Sequence, residues 1–121
     1  MTETKKPQDH LSKVEKPKVE KVQITIGEGQ AERTVDAQRT VIRGITVTVS
    51  DEALDDFELL DDLRAVDVDR NASRLPALLR RLVGDDYREI MERLRDKDTG
   101  RVPIQSATEF IRSLMEALNP N

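Results

Sequence analysis

The stretch from Ser50 to Asp67, SDEALDDFELLDDLRAVD, constrains this chain more than any other. On a helical wheel Ala53, Phe57, Leu59, Leu60, Leu63 and Val66 fall within about half a turn, and Asp51, Asp55, Glu58, Asp61 and Asp62 crowd the other side. That division predicts one core face and one solvated face. A helix beginning at Ser50 would place Leu54 among the acids and Asp56 in the apolar stripe. Both fit if the helix begins later. With Asp55 as N-cap, Glu58 closes a capping box, Leu54 becomes the staple residue against Leu59, and Asp56 lies in the first turn, where negative charge is favoured. The pattern therefore predicts a helix over 56–66, entered through a short turn at 51–54.

A helix of this kind needs apolar neighbours, and 121 residues allow one modest core. Phe57, Phe110 and Tyr87 are the only aromatic residues, so leucine, isoleucine and valine must fill it. Residues 1–21, MTETKKPQDHLSKVEKPKVEK, hold six lysines and few large apolar groups, a composition that cannot offset the entropy of ordering. They read as a disordered leader, 22–118 as a single domain and 119–121 as a tail.

Within that domain the predicted class is mainly α with a small N-terminal β part. Val22, Ile24 and Ile26 alternate with polar residues and are followed by the turn GEGQ, which marks a strand with a weak return at Arg33 to Val35. A clearer hairpin joins Thr40–Ile42 to Ile45–Val49 through Arg43-Gly44, where glycine can take the positive φ of a tight turn. After the acidic helix, RLPALLRRLV carries Leu75, Leu78, Leu79, Leu82 and Val83 on one stripe, turns Arg80 and Arg81 outward, and stops at Gly84. A third helix follows at once, with Asp86 and Glu89 in capping-box spacing and Tyr87, Ile90, Met91 and Leu94 on one face. Pro103 opens the last helix, whose Ile104, Ala107, Ile111, Leu114 and Leu118 recur at three-four spacing, widened by Phe110 and Met115, before Asn119-Pro120 ends it.

Charge narrows the function. The net charge is −4, with 9 basic and 7 acidic groups in residues 1–50 and 11 against 17 in residues 51–121. An acidic helical half argues against nucleic acid, whose nonspecific affinity comes from lysines and arginines that displace counterions. Arginines 80, 81, 88, 93 and 95 are interleaved with Asp85, Asp86, Glu89 and Glu92, which suits pairs within helices better than phosphate contacts. No apolar stretch approaches the roughly 20 residues of a membrane span, and no apolar signal core opens the chain. The reading is a cytosolic protein with neither nucleic acid nor membrane as partner.

Chemistry is sparse as well. The chain has no cysteine, its one histidine is His10 in the leader, and it has neither a phosphate loop nor a nucleophile elbow. The doublets Asp55-Asp56, Asp61-Asp62 and Asp85-Asp86 diverge by about 100° on a helix and do not present two carboxylates to one substrate. DKDTGRVPIQSATEF, from Asp96, imitates a calcium loop but places Gly100 at position 5 and Ala107 where the bidentate glutamate belongs. No catalytic, cofactor or metal residue is assigned. What remains is apolar helix surface, which points to a partner helix or to self-assembly.

The order of these elements carries a resemblance. ITVTVSDEALDDFELLDDLRAVD and LPALLRRLVGDDYREIMERLRDKDTGRVPIQSATEFIRSLMEAL resemble the tail assembly chaperones of long-tailed (siphovirus-type) bacteriophages and prophages of Gram-positive hosts, over about residues 40–118. The shared features are a strand leading into an acidic-Phe-Glu-Leu-Leu helix, a leucine-rich helix stopped by Gly84, a helix ending near an Arg-Asp turn, and a last helix entered through Gly-Arg-Val. The resemblance implies a non-enzymatic assembly factor of the host cytoplasm, absent from the mature virion. Such a factor binds the tape measure protein, keeps it soluble and helps tail-tube subunits polymerise around it. Partners would include the tail-tube protein, a longer frameshifted form of the chain, to which this sequence would be the short form, and further copies of itself. The residues chosen for partner contact are Phe57, Leu60 and Leu63 on the first long helix and Phe110, Leu114 and Leu118 on the last. Two readings compete with it: a small acidic adaptor or regulator that binds another protein through the same apolar face, and a carboxylate enzyme or calcium-binding domain.

Overall fold

A computed structural model of the chain describes residues 18–118. Most of the leader, with His10, and the Asn119-Pro120 stop lie outside the described residues. The class is as predicted, a three-stranded antiparallel sheet followed by helices, in the order β1 (Glu20–Ile26), β2 (Arg33–Ile42), β3 (Ile45–Ser50), α1 (Asp51–Leu54), α2 (Phe57–Asp67), α3 (Leu75–Val83), α4 (Tyr87–Leu94) and α5 (Ile104–Leu118).

The two short return segments seen in the sequence are one ten-residue strand, β2, which pairs with β1 on one side and β3 on the other. Ile24 lies opposite Val35, and Ile42 lies opposite Ile45. Arg43 (φ 54°) and Gly44 (φ 81°) both take positive φ, the conformation whose twist matches that of the strands it joins. Two side chains from distant helices hold this turn. Arg93 Nη2 donates to the Gly44 carbonyl at 3.1 Å, and Arg43 Nη2 pairs with Glu109 Oε1 at 2.7 Å. At the other end β1 starts before the expected boundary at 22. Thr40 Oγ1 donates to the Lys18 carbonyl at 2.8 Å and Val19 packs on the core, which draws Glu20 and Lys21 into β1.

The core lies between one face of β2–β3 and the helices. Alternation along β3 buries Ile45, Val47 and Val49, and Ile42 joins them from β2. Against them pack Leu59 of α2, the full leucine stripe of α3, Ile90 of α4, and Phe110, Ile111, Leu114, Ala117 and Leu118 of α5. At Gly84, which ends α3, φ is 58° and ψ is −125°, backbone that a residue with a Cβ adopts only under strain.

Caps differ from expectation in detail. Ser50 Oγ accepts from Ala53 N at 3.0 Å and caps α1, a single turn where the sequence predicted one. The chain then breaks at Asp55, and Asp56, one residue later than predicted, caps α2 by accepting from Glu58 N at 2.8 Å. Glu58 therefore closes no capping box, and its carboxylate instead accepts from Arg81 Nη1 at 3.1 Å. Nor does Asp86 cap α4. Its backbone is already helical (φ −80°, ψ 0°), because a turn of 3-10 helix at Gly84–Asp86 runs straight into α4.

Candidate functional site

Helices α2 and α5 both pack against α3 and leave a gap between them. That gap is an apolar groove of about 520 Å³. Its position follows from three stripes. Leu75 and Leu78 of α3 and Ile111 of α5 are buried and form the floor. Leu63 and Val66 of α2 and Met115 of α5, each half-buried, form the walls. Arg64 and Asp67 on one rim and Arg112 and Glu116 on the other put one charge of each sign on each side. A smaller cavity of about 250 Å³ lies beside the groove, lined by Leu75, Leu79, Tyr87, Met91, Ile104 and Ile111 among others. Leu75 and Ile111 separate the two.

The six residues chosen from the sequence do not come together. Leu63 lines the groove. Phe57 and Leu60 are on the outer face of α2, 85% and 58% exposed. Phe110 and Leu114 (each 0% exposed) and Leu118 are core, and no partner reaches them in this conformation. The reason is the roll of α2. Leu59, Asp62 and Ala65 face inward, so the broad apolar arc predicted for this helix is divided, with Leu59 and Val66 turned in and Phe57 and Leu60 turned out.

Asp62, expected on the solvated side, is only 3% exposed. Two arginines make this tolerable. Arg74 Nε donates to Asp62 Oδ1 at 2.8 Å, its Nη2 also pairs with Oδ1, and Arg81 Nε donates to Oδ2 at 3.0 Å. Both carboxylate oxygens are thus satisfied by charged donors, as a buried carboxylate requires. Arg81, expected to face out, is held by Asp62, Glu58 and, at 3.5 Å, Asp56. Arg74 also reaches Asp61 Oδ2 at 2.8 Å. Both guanidinium pKa values stand above their ordinary value: at Arg74 through the hydrogen bonds it donates to Asp61 and Asp62, and at Arg81 because burial, the largest single influence, lowers it but is outweighed by Glu58, Asp62 and Asp56 together. The network fixes α2 on α3 and so sets the groove's width. Nothing in a helical wheel distinguishes Asp62 from Asp61; the spacing of Arg74 and Arg81, seven apart and hence on one helix face, was the available signal.

Two further arginines of this half are engaged with protein. Arg80 lies over the Tyr87 ring, 4.4 Å from its centroid, and Arg95 pairs with Glu92 and donates to the Gly100 carbonyl. In the calcium-like segment Asp96 Oδ1 accepts from Asp98 N and Thr99 N at 2.7 and 3.2 Å, so this carboxylate closes its own turn. Among the described residues no helix is long and apolar enough to cross a membrane.

No family model, no curated protein and no solved structure matches this chain. The groove between α2 and α5 is therefore read from its own chemistry: an apolar floor, apolar walls and rims of mixed charge suit the apolar face of an amphipathic helix.

Proposed function

We propose that the protein is a non-enzymatic tail assembly chaperone of a long-tailed phage or prophage, which holds an amphipathic helical segment of the tape measure protein in the groove between α2 and α5. The observation that carries the reading is the groove itself. Its floor of Leu75, Leu78 and Ile111 is wide enough to seat side chains, and its rims offer Arg64 and Arg112 to acids and Asp67 and Glu116 to bases. The resemblance of residues 40–118 to tail assembly chaperones supplies the class of client. A long helical protein that aggregates by its apolar stripe gains solubility when that stripe is covered by a carrier with an acidic exterior.

The test is co-expression with the long helical protein encoded downstream in the source genome, followed by separation of soluble and insoluble material. The wild-type chain should hold the client in the soluble fraction. Met115→Glu, which puts a charge on the groove wall at a half-buried position, should lose the client while keeping its own helical circular dichroism. A client equally insoluble with and without the wild-type chain, or equally soluble with Met115→Glu, refutes the reading.

A further inference from the structure

The outer face of α2 presents large apolar side chains that the fold does not use. Phe57, Leu60 and Val68 are 85%, 58% and 61% exposed, three of the five large hydrophobic residues that the described chain leaves in solvent. With Asp61 and Arg64 they occupy positions 0, 3, 4, 7 and 11 of one helical stripe about 16 Å long. From the groove only the rim residues Arg64 and Asp67 share this face.

The stripe is self-complementary in one direction. Phe57 and Val68 are equally distant from the point midway between Asp61 and Arg64, since 57 and 68 have the same sum as 61 and 64. An antiparallel second copy centred there would set Phe57 against the partner's Val68 and Asp61 against the partner's Arg64, twice over by symmetry. Charge along the segment favours the same arrangement. From Asp51 to Asp62 every charged residue is acidic, whereas Leu63 to Arg74 holds three arginines against two aspartates. A parallel pair would align acid with acid, and an antiparallel one places acidic halves against basic halves and opposes the helix dipoles favourably. Asp61 is free for the contact, because Arg74 takes only its Oδ2, and the Arg64–Asp69 pair is long, at 3.5 Å, and exposed.

We propose that this face of α2 is a homodimer interface, closed by an antiparallel second copy of the chain through Phe57, Leu60, Asp61, Arg64 and Val68. Two three-turn helices bury on the order of 1,000 Å² in total, at the low end of specific interfaces. An interface of this size fits a weak, transient dimer, and we place its dissociation constant at roughly 10–100 μM. The contact involves no client, so its test and the client test fail separately.

The experiment is sedimentation equilibrium of the full chain over that range, with circular dichroism as the control for folding. Wild type should pass from monomer to dimer. F57A, at an exposed position, should weaken the dimer at least about tenfold and leave the helical signal intact. D61R alone would face Arg64 with arginine, and R64D alone would face Asp61 with aspartate, so each should weaken association. Their equimolar mixture restores both ion pairs and should dimerise again. A chain that is monomeric throughout the range overturns the proposal. So does a dimer that F57A leaves unchanged, and so does failure of the mixture to recover while both variants remain folded.

Discussion

Replacing Asp62 by asparagine should cost this domain a large share of its stability. The substitution keeps the volume and removes the charge at a site 3% exposed, where one carboxylate oxygen serves Arg74 and the other serves Arg81. Hydrogen bonds to charged groups contribute about 1.5–3 kcal/mol each, but they are not additive here. Both arginines keep other partners, Asp61 at 2.8 Å and Glu58 at 3.1 Å, and each side chain is about one-third exposed, so neither cation is stranded. A net loss of about 2–3 kcal/mol follows, against a total of about 5–15 kcal/mol for a domain of this size. In urea, where the slope for a small protein is about 1–3 kcal/mol per molar, the midpoint should fall by about 0.7–3 M with an unchanged slope. Asp61→Asn is the matched control. It removes a second carboxylate from Arg74, but one that is two-thirds exposed, and should shift stability by no more than about 0.5 kcal/mol. Both are read by far-ultraviolet circular dichroism. Equal midpoints for Asp62→Asn and wild type would show that the network does not hold α2 in place, and the account of the groove's width would fall with it.

Two further outcomes are expected. Gly84→Ala should lower stability by about 1–3 kcal/mol through backbone strain alone, because no atom lies near the added Cβ; a midpoint in thermal unfolding within about 1 °C of wild type would refute this. The third concerns acid. The Arg33 guanidinium, chiefly by its hydrogen bond, holds the Glu52 carboxyl below its ordinary value of 4.5. The unfolded chain therefore takes up this proton first as pH falls, so the pair's contribution is present above the ordinary value and lost as pH drops through the folded one. Glu52→Gln should have a shallower loss of urea midpoint between about pH 6 and about pH 3 than wild type, and parallel curves would contradict it.

Much of the fold was legible because its signals are local. Alternation from Ile45 to Val49, the Arg43-Gly44 turn, and Gly84 after the leucine stripe each act within a few residues, and each element stands where its pattern placed it. The strand β2 was recovered only in pieces, since its middle, Asp36 to Arg39, has one small buried apolar residue, Ala37, among three polar ones and is held by neighbours on both sides rather than by its own pattern. The site was harder to read. Periodicity gives the width of an apolar arc but not which part of it turns inward. On α2 the arc is wider than the core can take, and two arginines from α3 and its approach decide the roll by drawing Asp62 in and leaving Phe57 and Leu60 out. On α5 the opposite held, and Phe110, Leu114 and Leu118, chosen as contacts, are what the sheet and α3 close upon.

Tyr87 lies under the Arg80 guanidinium at the corner between α3 and α4, and the chain has neither a second tyrosine nor a tryptophan. Intrinsic fluorescence thus watches that corner and the smaller cavity beside it, which Leu75 and Ile111 divide from the groove. A helix settling between α2 and α5 touches neither Tyr87 nor Arg80, so it reaches this emission only through a shift of Leu75 or Ile111. The optical probe of binding has to be carried by the helix that binds.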